Sequence, residues 1–156
     1  MNLLSSLLPL PNVQLDVSAC DKADALQHAA EVFEHSQGLN AARVAECLAA
    51  REALGTTGLG KGGAIPHGRL RGLKRAAAAI LRLKDPIEFG SPDGQPVRLL
   101  VVLLVPENAT HQHLQILSEL AQMLSEPSMR DQLQTVMQPS ALLATVAAWE
   151  PIRPAA

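Results

Sequence analysis

Aromatic residues are scarce in this 156-residue chain, which has no tyrosine, two phenylalanines and one tryptophan. Single-stranded nucleic acids are bound by stacking successive bases on several aromatic rings, and this chain cannot supply such a surface. Its net charge of −2 also lacks the basic surplus that holds a phosphate backbone. We therefore expect no nucleic-acid partner and a core built mainly from Leu, Val, Ile and Ala.

Cysteines and long apolar runs are also few. Cys20 and Cys47 are far apart and in no Cys-x-x-Cys spacing, so they predict neither a disulfide framework nor a metal site. We expect both to be reduced and packed. No stretch approaches the length of a membrane-spanning helix, and the residues before Lys22 lack the positive charge of an export signal. These features predict a cytoplasmic protein without membrane insertion.

The chain does contain alternating strand and helix patterns. Period-two alternation and continuous apolar runs predict strands at 13–17, 76–83 and 97–105. Helical periodicity predicts helices at 22–37, 40–54, 110–125, 129–136 and 140–148. The predicted fold class is α/β: a single-domain sandwich over residues 1–150, with a mixed β-sheet flanked by helices on both faces and a frayed tail at 151–156.

Capping and turn-forming residues predict the boundaries of these elements. Ser18 and Asp21 resemble a capping box ahead of the first helix. Gly38 predicts the end of that helix, and Asn40 predicts the start of the next. The proline- and glycine-rich stretch at 86–96 predicts a connecting loop between two strands.

The run GLGKGGAIPHG, residues 58–68, contains one histidine, His67, at the end of a glycine-rich loop. The amides of Gly60, Gly62 and Gly63 could approach an anion closely. A neutral imidazole at His67 has a nitrogen that can attack phosphorus without a separate base. The motif therefore indicates phosphate chemistry. The alternative is a tight turn in which His67 only hydrogen-bonds a carbonyl.

An overlapping stretch, GTTGLGK at 55–61, fits the opening of a nucleotide-binding P-loop. The next residue is Gly62, where a Ser or Thr would hold magnesium. A helix is also predicted before the loop, where the motif requires a strand. We expect no ATP binding at this loop.

Arg51 falls on the inward-facing side of the second predicted helix. Val44 and Leu48 define the apolar stripe, and Arg51 follows Val44 by seven residues, about 20° away on the helical wheel. A guanidinium there suits phosphate oxygens well. The alternative is an arginine that extends to solvent at a helix C-terminus, where the helix dipole favours cations.

His113 lies on the same stripe as Leu117 and Leu120 in the predicted helix at 110–125, and so faces the sheet near the helix start. Helix N-termini that follow strand ends are common anion sites in α/β folds. His111 lies on nearly the opposite face, so the sequence HQH is weak evidence for a helical zinc pair. We predict no metal site.

The stretch REALGTTGLGKGGAIPHG at 51–68, with HLQILSELA at 113–121, resembles the mannitol/fructose-type enzyme IIA domains of the bacterial phosphoenolpyruvate-dependent sugar phosphotransferase system (PTS). The resemblance extends over nearly the whole chain and is greatest to the stand-alone nitrogen-regulatory branch. Lys61, Gly62 and Gly63 depart from the family's more varied GxGNGIA-like loop, which could alter partner preference.

This resemblance implies a phosphohistidine relay without cofactor or metal. The histidine of the AIPHG motif, here His67, would accept a phosphoryl group from a histidine phosphocarrier protein of the HPr or NPr kind. Arg51 and His113 correspond to the family's supporting arginine and second active-site histidine, and loop amides from Gly60 to Gly63 would complete the phosphate cradle. Family members also bind regulatory targets such as sensor kinases and potassium transporters.

Other functions stay open at this point. One is a sugar-specific IIA subunit that passes phosphate to a IIB domain, and another is a non-catalytic regulatory module like the related domains of anion transporters. The joint presence of His67, Arg51 and His113 argues against the second. A metal-dependent hydrolase is the weakest alternative. Around His67 we expect a shallow apolar patch for the carrier, with Leu59 and Leu70 as candidates.

Overall fold

The computed structural model describes residues 2–109 and 111–152, and its centre is a mixed six-stranded β-sheet. The strands are β1 (Val13–Val17), β2 (Gly58–Gly60), β3 (Gly63–Ala64), β4 (His67–Leu70), β5 (Ala77–Ile87) and β6 (Val97–Pro106). Their order is β1-β5-β6-β3-β2, and β4 also pairs with β6. The neighbours β5 and β6 are antiparallel, whereas β1 runs parallel to β5 and both β3 and β4 run parallel to β6.

Five helices cover the two faces of the sheet: α1 (Lys22–Gln37), α2 (Ala41–Ala53), α3 (His111–Ser125), α4 (Pro127–Thr135) and α5 (Pro139–Ala148). One core lies between the sheet and the first two helices, and the other lies between the sheet and the last three. Two short 3₁₀ helices, Leu4–Leu7 and Leu10–Asn12, join the second core. The predicted sandwich, with helices on both faces of a mixed sheet, is confirmed.

Strand β6 separates the two cores. Its side chains alternate, so Leu100, Val102 and Leu104 pack toward α1 and α2, while Leu99, Val101 and Leu103 pack toward α3, α4 and α5. A strand covered on both faces is apolar along its buried length, which explains the run VRLLVVLLV, in which only the partly exposed Arg98 is charged.

The ends of the first two helices follow from single residues. Gly38 closes α1 in the left-handed conformation, with φ of 70°, and the Asn40 side chain accepts a hydrogen bond from the Arg43 amide at the start of α2. The predicted capping box with Ser18 is wrong, because Asp21 itself is the N-cap and accepts from the Asp24 amide at 2.8 Å.

Three further predictions need correction. Strand β5 continues through Pro86 to Ile87, with an irregular register after Arg82, because proline has no amide to donate to the ladder. The glycine-rich loop contains three short strands, because backbone groups along one edge of β6 are available to pair with this segment. Both cysteines are free, but Cys20 is exposed and not packed, whereas Cys47 is partly buried and packs against the core as predicted.

Some expectations fall outside the described residues, namely Thr110 at the predicted start of α3 and residues 153–156 of the predicted tail. Within the tail, the backbone amide of Ile152 donates to the Gln122 side chain at 3.0 Å. None of the helices in the described part of the chain is long and apolar enough to cross a membrane.

Candidate functional site

The structure brings His67, Arg51 and His113 together at one end of the sheet. His67 begins β4, Arg51 lies in the last turn of α2, and His113 lies in the first turn of α3. All three line one open cavity of about 440 Å³. A second cavity of about 250 Å³ opens on the other side of Arg51 and His67 and extends to Leu59. The two histidines and the arginine predicted from sequence therefore form one site.

Strand β4 reaches this position because it packs closely between β6 and α2. His67 pairs with Leu103 of β6, and a Cβ atom added at Gly68 would lie 2.5 Å from the Cys47 sulfur of α2. No side chain fits at that distance, so glycine is required directly after the histidine. The close approach brings His67 next to the helix that carries Arg51.

The imidazole of His67 has a fixed orientation. Its Nδ1 atom lies 2.8 Å from the carbonyl oxygen of Ile65. A carbonyl can only accept, so the neutral ring carries its proton on Nδ1 and keeps the lone pair on Nε2. Burial is the main cause that lowers the pKa of His67, and the Arg51 charge adds to it, while the Ile65 carbonyl and Glu52 act in the opposite direction. The ring is thus held as a neutral base.

His113 stands beside His67, with the ring centroids 5.6 Å apart and the planes tilted by 57°. His113 is only 8% exposed, and its Nδ1 atom has no hydrogen-bond partner within the described part of the chain. Burial lowers the pKa of His113 most, followed by His67 and Arg69. A buried, unpartnered imidazole nitrogen is a group that a bound polar ligand could satisfy.

Arg51 is partly buried and places a positive charge beside His67. Its Nη1 donates to the Gly55 carbonyl at 2.8 Å, which fixes the guanidinium against the end of α2. Arg51 thus hydrogen-bonds just beyond the end of α2 and also lines both cavities, and its role as a phosphate partner stays a prediction. An anion at His67 would lie next to its remaining N–H donors.

Sequence reasoning missed Glu52, whose side chain is buried. Its carboxylate accepts from the Thr57 amide at 2.8 Å, from the Thr57 hydroxyl at 2.6 Å and from the Lys22 ammonium at 3.1 Å. The signal was present, because Glu52 follows Leu48 by four residues and so falls on the same inward stripe as Arg51. A buried carboxylate needs such partners.

Glu52 is connected to His67 through the backbone. Thr57, which Glu52 holds, accepts a hydrogen bond at its carbonyl from the Ile65 amide at 3.0 Å. The carbonyl of the same Ile65 is the partner of His67 Nδ1. On the other side, the Pro66 carbonyl accepts from the Leu103 amide of β6. The peptide that orients the histidine is therefore fixed from two directions.

The predicted cradle glycines do not lie at this site. Gly63 pairs with Leu99 and His67 with Leu103, so their backbones are about 13 Å apart along β6. Gly60 pairs with Gly63, and Gly62 lies in the two-residue turn between them. The segment runs along β6 as extended strands, which keeps these glycines from wrapping around the histidine.

That turn is fixed elsewhere. Lys61 and Gly62 both have positive φ, 56° and 84°, as tight hairpin turns require. The Lys61 amide donates to Asp93 at 2.8 Å, and the Gly62 carbonyl accepts from Arg98 and Leu99. Neither cavity beside His67 is lined by this turn.

The donor set is that of an anion site. Across residues 2–109 and 111–152, no three His, Cys, Asp or Glu side chains are grouped so that they could hold a metal ion. His111 is exposed, on the opposite side of α3 from the buried His113. A neutral nucleophilic nitrogen beside a guanidinium and a second imidazole suits phosphoryl transfer.

Comparison with known proteins identifies the family. The model of the family described as "Phosphoenolpyruvate-dependent sugar phosphotransferase system, EIIA 2" matches residues 6–149. The chain belongs to this family. As an EIIA 2 protein it is a phosphotransferase, a component of a phosphoryl-transfer relay.

Relatives and solved structures agree with this. The nitrogen regulatory protein of Pseudomonas aeruginosa is 48% identical over 103 residues, which are 66% of this chain and 67% of that protein. The nitrogen regulatory protein of Escherichia coli K12 is 39% identical over 124 residues, 79% of this chain and 76% of that one. The crystal structure of IIA-Ntr from Neisseria meningitidis has a TM-score of 0.88 at 45% identity, covering 93% of this chain and 99% of that chain.

The fold is also shared with a sugar-specific protein. The mannitol IIA of Escherichia coli has a TM-score of 0.74 at 22% identity and covers 88% of this chain and 97% of that chain. Nitrogen-regulatory and mannitol IIA proteins therefore share this fold, and the role of this chain has to be argued from its site and its nitrogen-regulatory relatives.

Lower pH should destabilise the EIIA 2 fold through its two site histidines. The pKa of each is lower in the folded chain than its ordinary value of 6.5, so the unfolded chain binds these protons more readily. The contribution of the two neutral histidines to the free energy of unfolding is complete above pH 6.5. It is lost as the pH falls through their pKa values in the folded chain. Urea unfolding between about pH 8 and 5 should show this decrease, because protonation then favours the unfolded chain.

The double variant His67→Gln, His113→Gln should show a smaller decrease over the same pH range. The variant His35→Gln, at an exposed position, is the matched control and should keep the wild-type dependence. An identical pH dependence in the double variant and the wild type would show that these histidines are not the source.

Replacing the buried carboxylate should weaken the whole domain. Glu52→Ala removes the acceptor of three hydrogen bonds and leaves the Thr57 amide and hydroxyl without it, so the free energy of unfolding should fall by about 2 kcal/mol. Glu52→Gln keeps an acceptor and should lose less. Lys22→Met, which removes the ion pair and the cation–π contact with Phe89 but leaves both Thr57 contacts in place, is the control; equal losses in all three variants would contradict a role for the Thr57 contacts.

Proposed function

We propose that this chain is a nitrogen-regulatory IIA protein that accepts a phosphoryl group on Nε2 of His67 and regulates target proteins according to its phosphorylation state. The donor is a histidine phosphocarrier protein of the HPr or NPr kind. The observation that supports this most directly is the hydrogen bond from His67 Nδ1 to Ile65, because it leaves Nε2 as the nucleophile. The nitrogen regulatory relatives support the regulatory role.

The transfer step follows from the site geometry. Nε2 of His67 attacks the phosphorus of the carrier's phosphohistidine; the new N–P bond forms as the carrier's N–P bond breaks, and the carrier's imidazole leaves with the bonding electrons. Arg51 offsets the negative charge on the equatorial oxygens. His113, whose ring lies 5.6 Å from that of His67, donates to or orients the phosphoryl group. The proposed step does not require any side chain of this protein to bind a metal ion.

The low pKa of His67 fits the acceptor role. Burial and the Arg51 charge keep the ring neutral, so the lone pair is available at neutral pH without a separate base. After transfer, Nε2 of the imidazole carries a dianionic phosphoryl group, which lies next to Arg51. The same positive charge that lowers the pKa of His67 thus stabilises the product.

Exposed apolar side chains lie on the elements that carry the site or beside it. Leu54 at the end of α2, Leu59 in β2 and Leu114 beside His113 are 85%, 45% and 65% exposed. We propose that they form the docking patch for the carrier, since transient complexes bury modest apolar areas. Leu70, the other candidate from sequence, is wrong, because it is only 6% exposed and packs into the core with α1 and α2.

The acceptor residue is tested by phosphorylation. Incubation with phosphoenolpyruvate, enzyme I and a histidine phosphocarrier should add one phosphoryl group that is acid-labile and base-stable, and intact mass measures it. His67→Ala should gain none. Arg51→Ala and His113→Ala should transfer about 10²-fold more slowly with an unchanged far-UV spectrum, since each removes charge stabilisation. Full phosphorylation of His67→Ala would refute the mechanism.

A further acceptor assay separates the regulatory and sugar-specific roles. The phosphorylated chain should keep its phosphoryl group when it is mixed with IIB domains of the mannitol and fructose systems. Rapid transfer to one of these domains would instead assign the chain to sugar uptake. The structure of mannitol IIA with phosphorylated mannitol IIB makes that pair a positive control for the assay.

The docking patch predicts a change in KM. Leu54→Asp with Leu59→Asp places two charges in the apolar contact, and KM for the carrier should rise by about tenfold, with kcat little changed. Met137→Asp, at a residue 84% exposed and outside the cavities beside His67, is the matched control. A wild-type KM in the double variant would exclude this patch as the docking site.

A further inference from the structure

A third cavity, of about 550 Å³, lies away from His67 and is larger than either cavity beside that histidine. It opens between the N-terminal 3₁₀ helices and the loop that joins β4 to β5, and we call it the N-terminal cavity. Its lining consists of residues 5–9, 37, 39 and 73–76, and none of these lines a cavity beside His67. A concave site of this volume is large enough for a small molecule.

The walls of the N-terminal cavity are anchored in both cores. Leu8 is buried in the core toward α3, α4 and α5, and Leu7 packs against the same core. Leu39 and Leu73 pack against the other core, toward α1 and α2. The apolar part of the cavity is therefore formed by the fold itself, so that binding a ligand orders few additional groups.

Two cations line the N-terminal cavity without a partner of their own. Lys74 and Arg75 are exposed, and within the described ranges neither side chain forms a salt bridge or a hydrogen bond. The described lining also contains no Asp or Glu. Because two positive charges at one site repel each other, a bound anion of opposite charge relieves that repulsion. The cavity therefore favours a ligand with two negative charges.

The uncharged polar groups of the cavity offer both donors and acceptors. The side-chain oxygen of Gln37 accepts from Asn12 at 3.3 Å, which leaves the amide group of Gln37 as a further donor. The hydroxyls of Ser5 and Ser6 donate to backbone carbonyls at 3.1 and 2.9 Å, so their oxygen lone pairs remain as acceptors. The amide donor suits an oxyanion, and the serine oxygens suit hydroxyl groups of a ligand.

We propose that the N-terminal cavity binds a small phosphate monoester with a hydroxylated, non-aromatic body, such as a sugar or polyol phosphate. A phosphate monoester carries nearly two negative charges at neutral pH, which matches Lys74 and Arg75. The guanidinium of Arg75 can contact two phosphate oxygens at once. Ser5 and Ser6 accept from the hydroxyl groups, and the leucine walls contact the C–H faces of the ligand.

This inference goes beyond the proposed function and does not rest on it, because the N-terminal cavity shares no lining residue with the cavities beside His67. A chain that binds the ester and gains no phosphoryl group would refute only the proposed function. A chain that is phosphorylated on His67 and binds no ester would refute only the present inference.

Other anions fit the N-terminal cavity less well. A nucleotide gains affinity by stacking its base on an aromatic ring, and none of the three aromatic residues of the chain lines the cavity. A simple dicarboxylate has no hydroxyl group to donate to the serines. A nucleic acid or an anionic membrane would meet a wide area of a chain whose net charge is −2. These features favour a compact phosphate ester as the occupant.

Calorimetric titration of the full chain tests the class of ligand. The probes are glucose 6-phosphate, fructose 6-phosphate and glycerol 3-phosphate, at about 0.05 M salt to limit screening. The comparison compounds are glucose, inorganic phosphate, succinate and AMP. At least one probe should bind with a Kd below about 1 mM and about tenfold more tightly than every comparison compound, because only the probes satisfy cations, serines and aliphatic walls together.

Three results of this titration would overturn the proposal. The first is the failure of all three probes to bind. The second is binding of inorganic phosphate as tight as that of the best probe, which would reduce the site to ion attraction. The third is tighter binding of AMP or succinate, which would exclude the proposed class of ligand.

Two variants test where the best probe binds. Lys74→Gln, Arg75→Gln removes both charges and should weaken binding by about tenfold or more. Ser6→Phe keeps both charges and fills the cavity, so it should weaken binding to a similar degree. The matched control Lys61→Gln, Lys84→Gln makes the same change in net charge at two exposed residues outside the cavity and should bind as the wild type does.

The comparison of these variants can contradict the proposal. Wild-type affinity in the charge variant would overturn it, and so would an equal loss in the control. A loss in the charge variant with wild-type affinity in Ser6→Phe would place the ester on the outer surface, outside the cavity, and would also overturn it. Far-UV spectra show whether each variant is folded. Gln37→Phe, at an exposed residue of another wall, provides the same test if Ser6→Phe is unfolded.

Discussion

One hydrogen bond, from His67 Nδ1 to the carbonyl of Ile65 at 2.8 Å, is the contact on which the proposed chemistry of this protein depends. It fixes the ring, determines which nitrogen keeps its lone pair, and does so without a carboxylate partner that would make the imidazole more basic. The supporting contacts are distributed over several elements. Glu52 holds Thr57, Thr57 holds Ile65, and β6 holds Pro66. These contacts fix the orientation of His67 although it lies on a short strand.

The site shows how an α/β sandwich can activate a histidine by burial. His67 and His113 are both removed from water by their neighbours and both lie near an arginine, so protonation of either ring is disfavoured. In the proposed mechanism, these same arginines would offset the charge of a phosphoryl group. Positive charge close to a neutral base would then stabilise both the neutral acceptor before transfer and the phosphohistidine after it.

The surface around His67 is partly apolar. Leu54, Leu59 and Leu114 are exposed there, and in the proposed function this apolar area favours contact with a partner of suitable shape.

Much of the fold and of the site could be predicted from the sequence. The periodicity of α1 and α2, the continuous apolar run of β6 and the caps at Gly38 and Asn40 are local signals, because each depends on neighbours only a few residues away. The inward stripe of α2 placed Arg51 correctly for the same reason. The motif around His67, with its resemblance to a known family, indicated phosphohistidine chemistry.

Other features depended on contacts between distant segments. The glycine-rich stretch has no hydrophobic pattern of its own and becomes strands only because β6 offers it hydrogen-bonding partners, which also separates Gly60, Gly62 and Gly63 from the site.

What the sequence by itself determined were the helices, the central strands and the residue types able to accept a phosphoryl group, since these follow from local periodicity and side-chain chemistry. Only the tertiary structure decided the free nitrogen of His67, the support from Glu52 and the burial of Leu70, because each results from the packing of chain segments that are not neighbours in sequence.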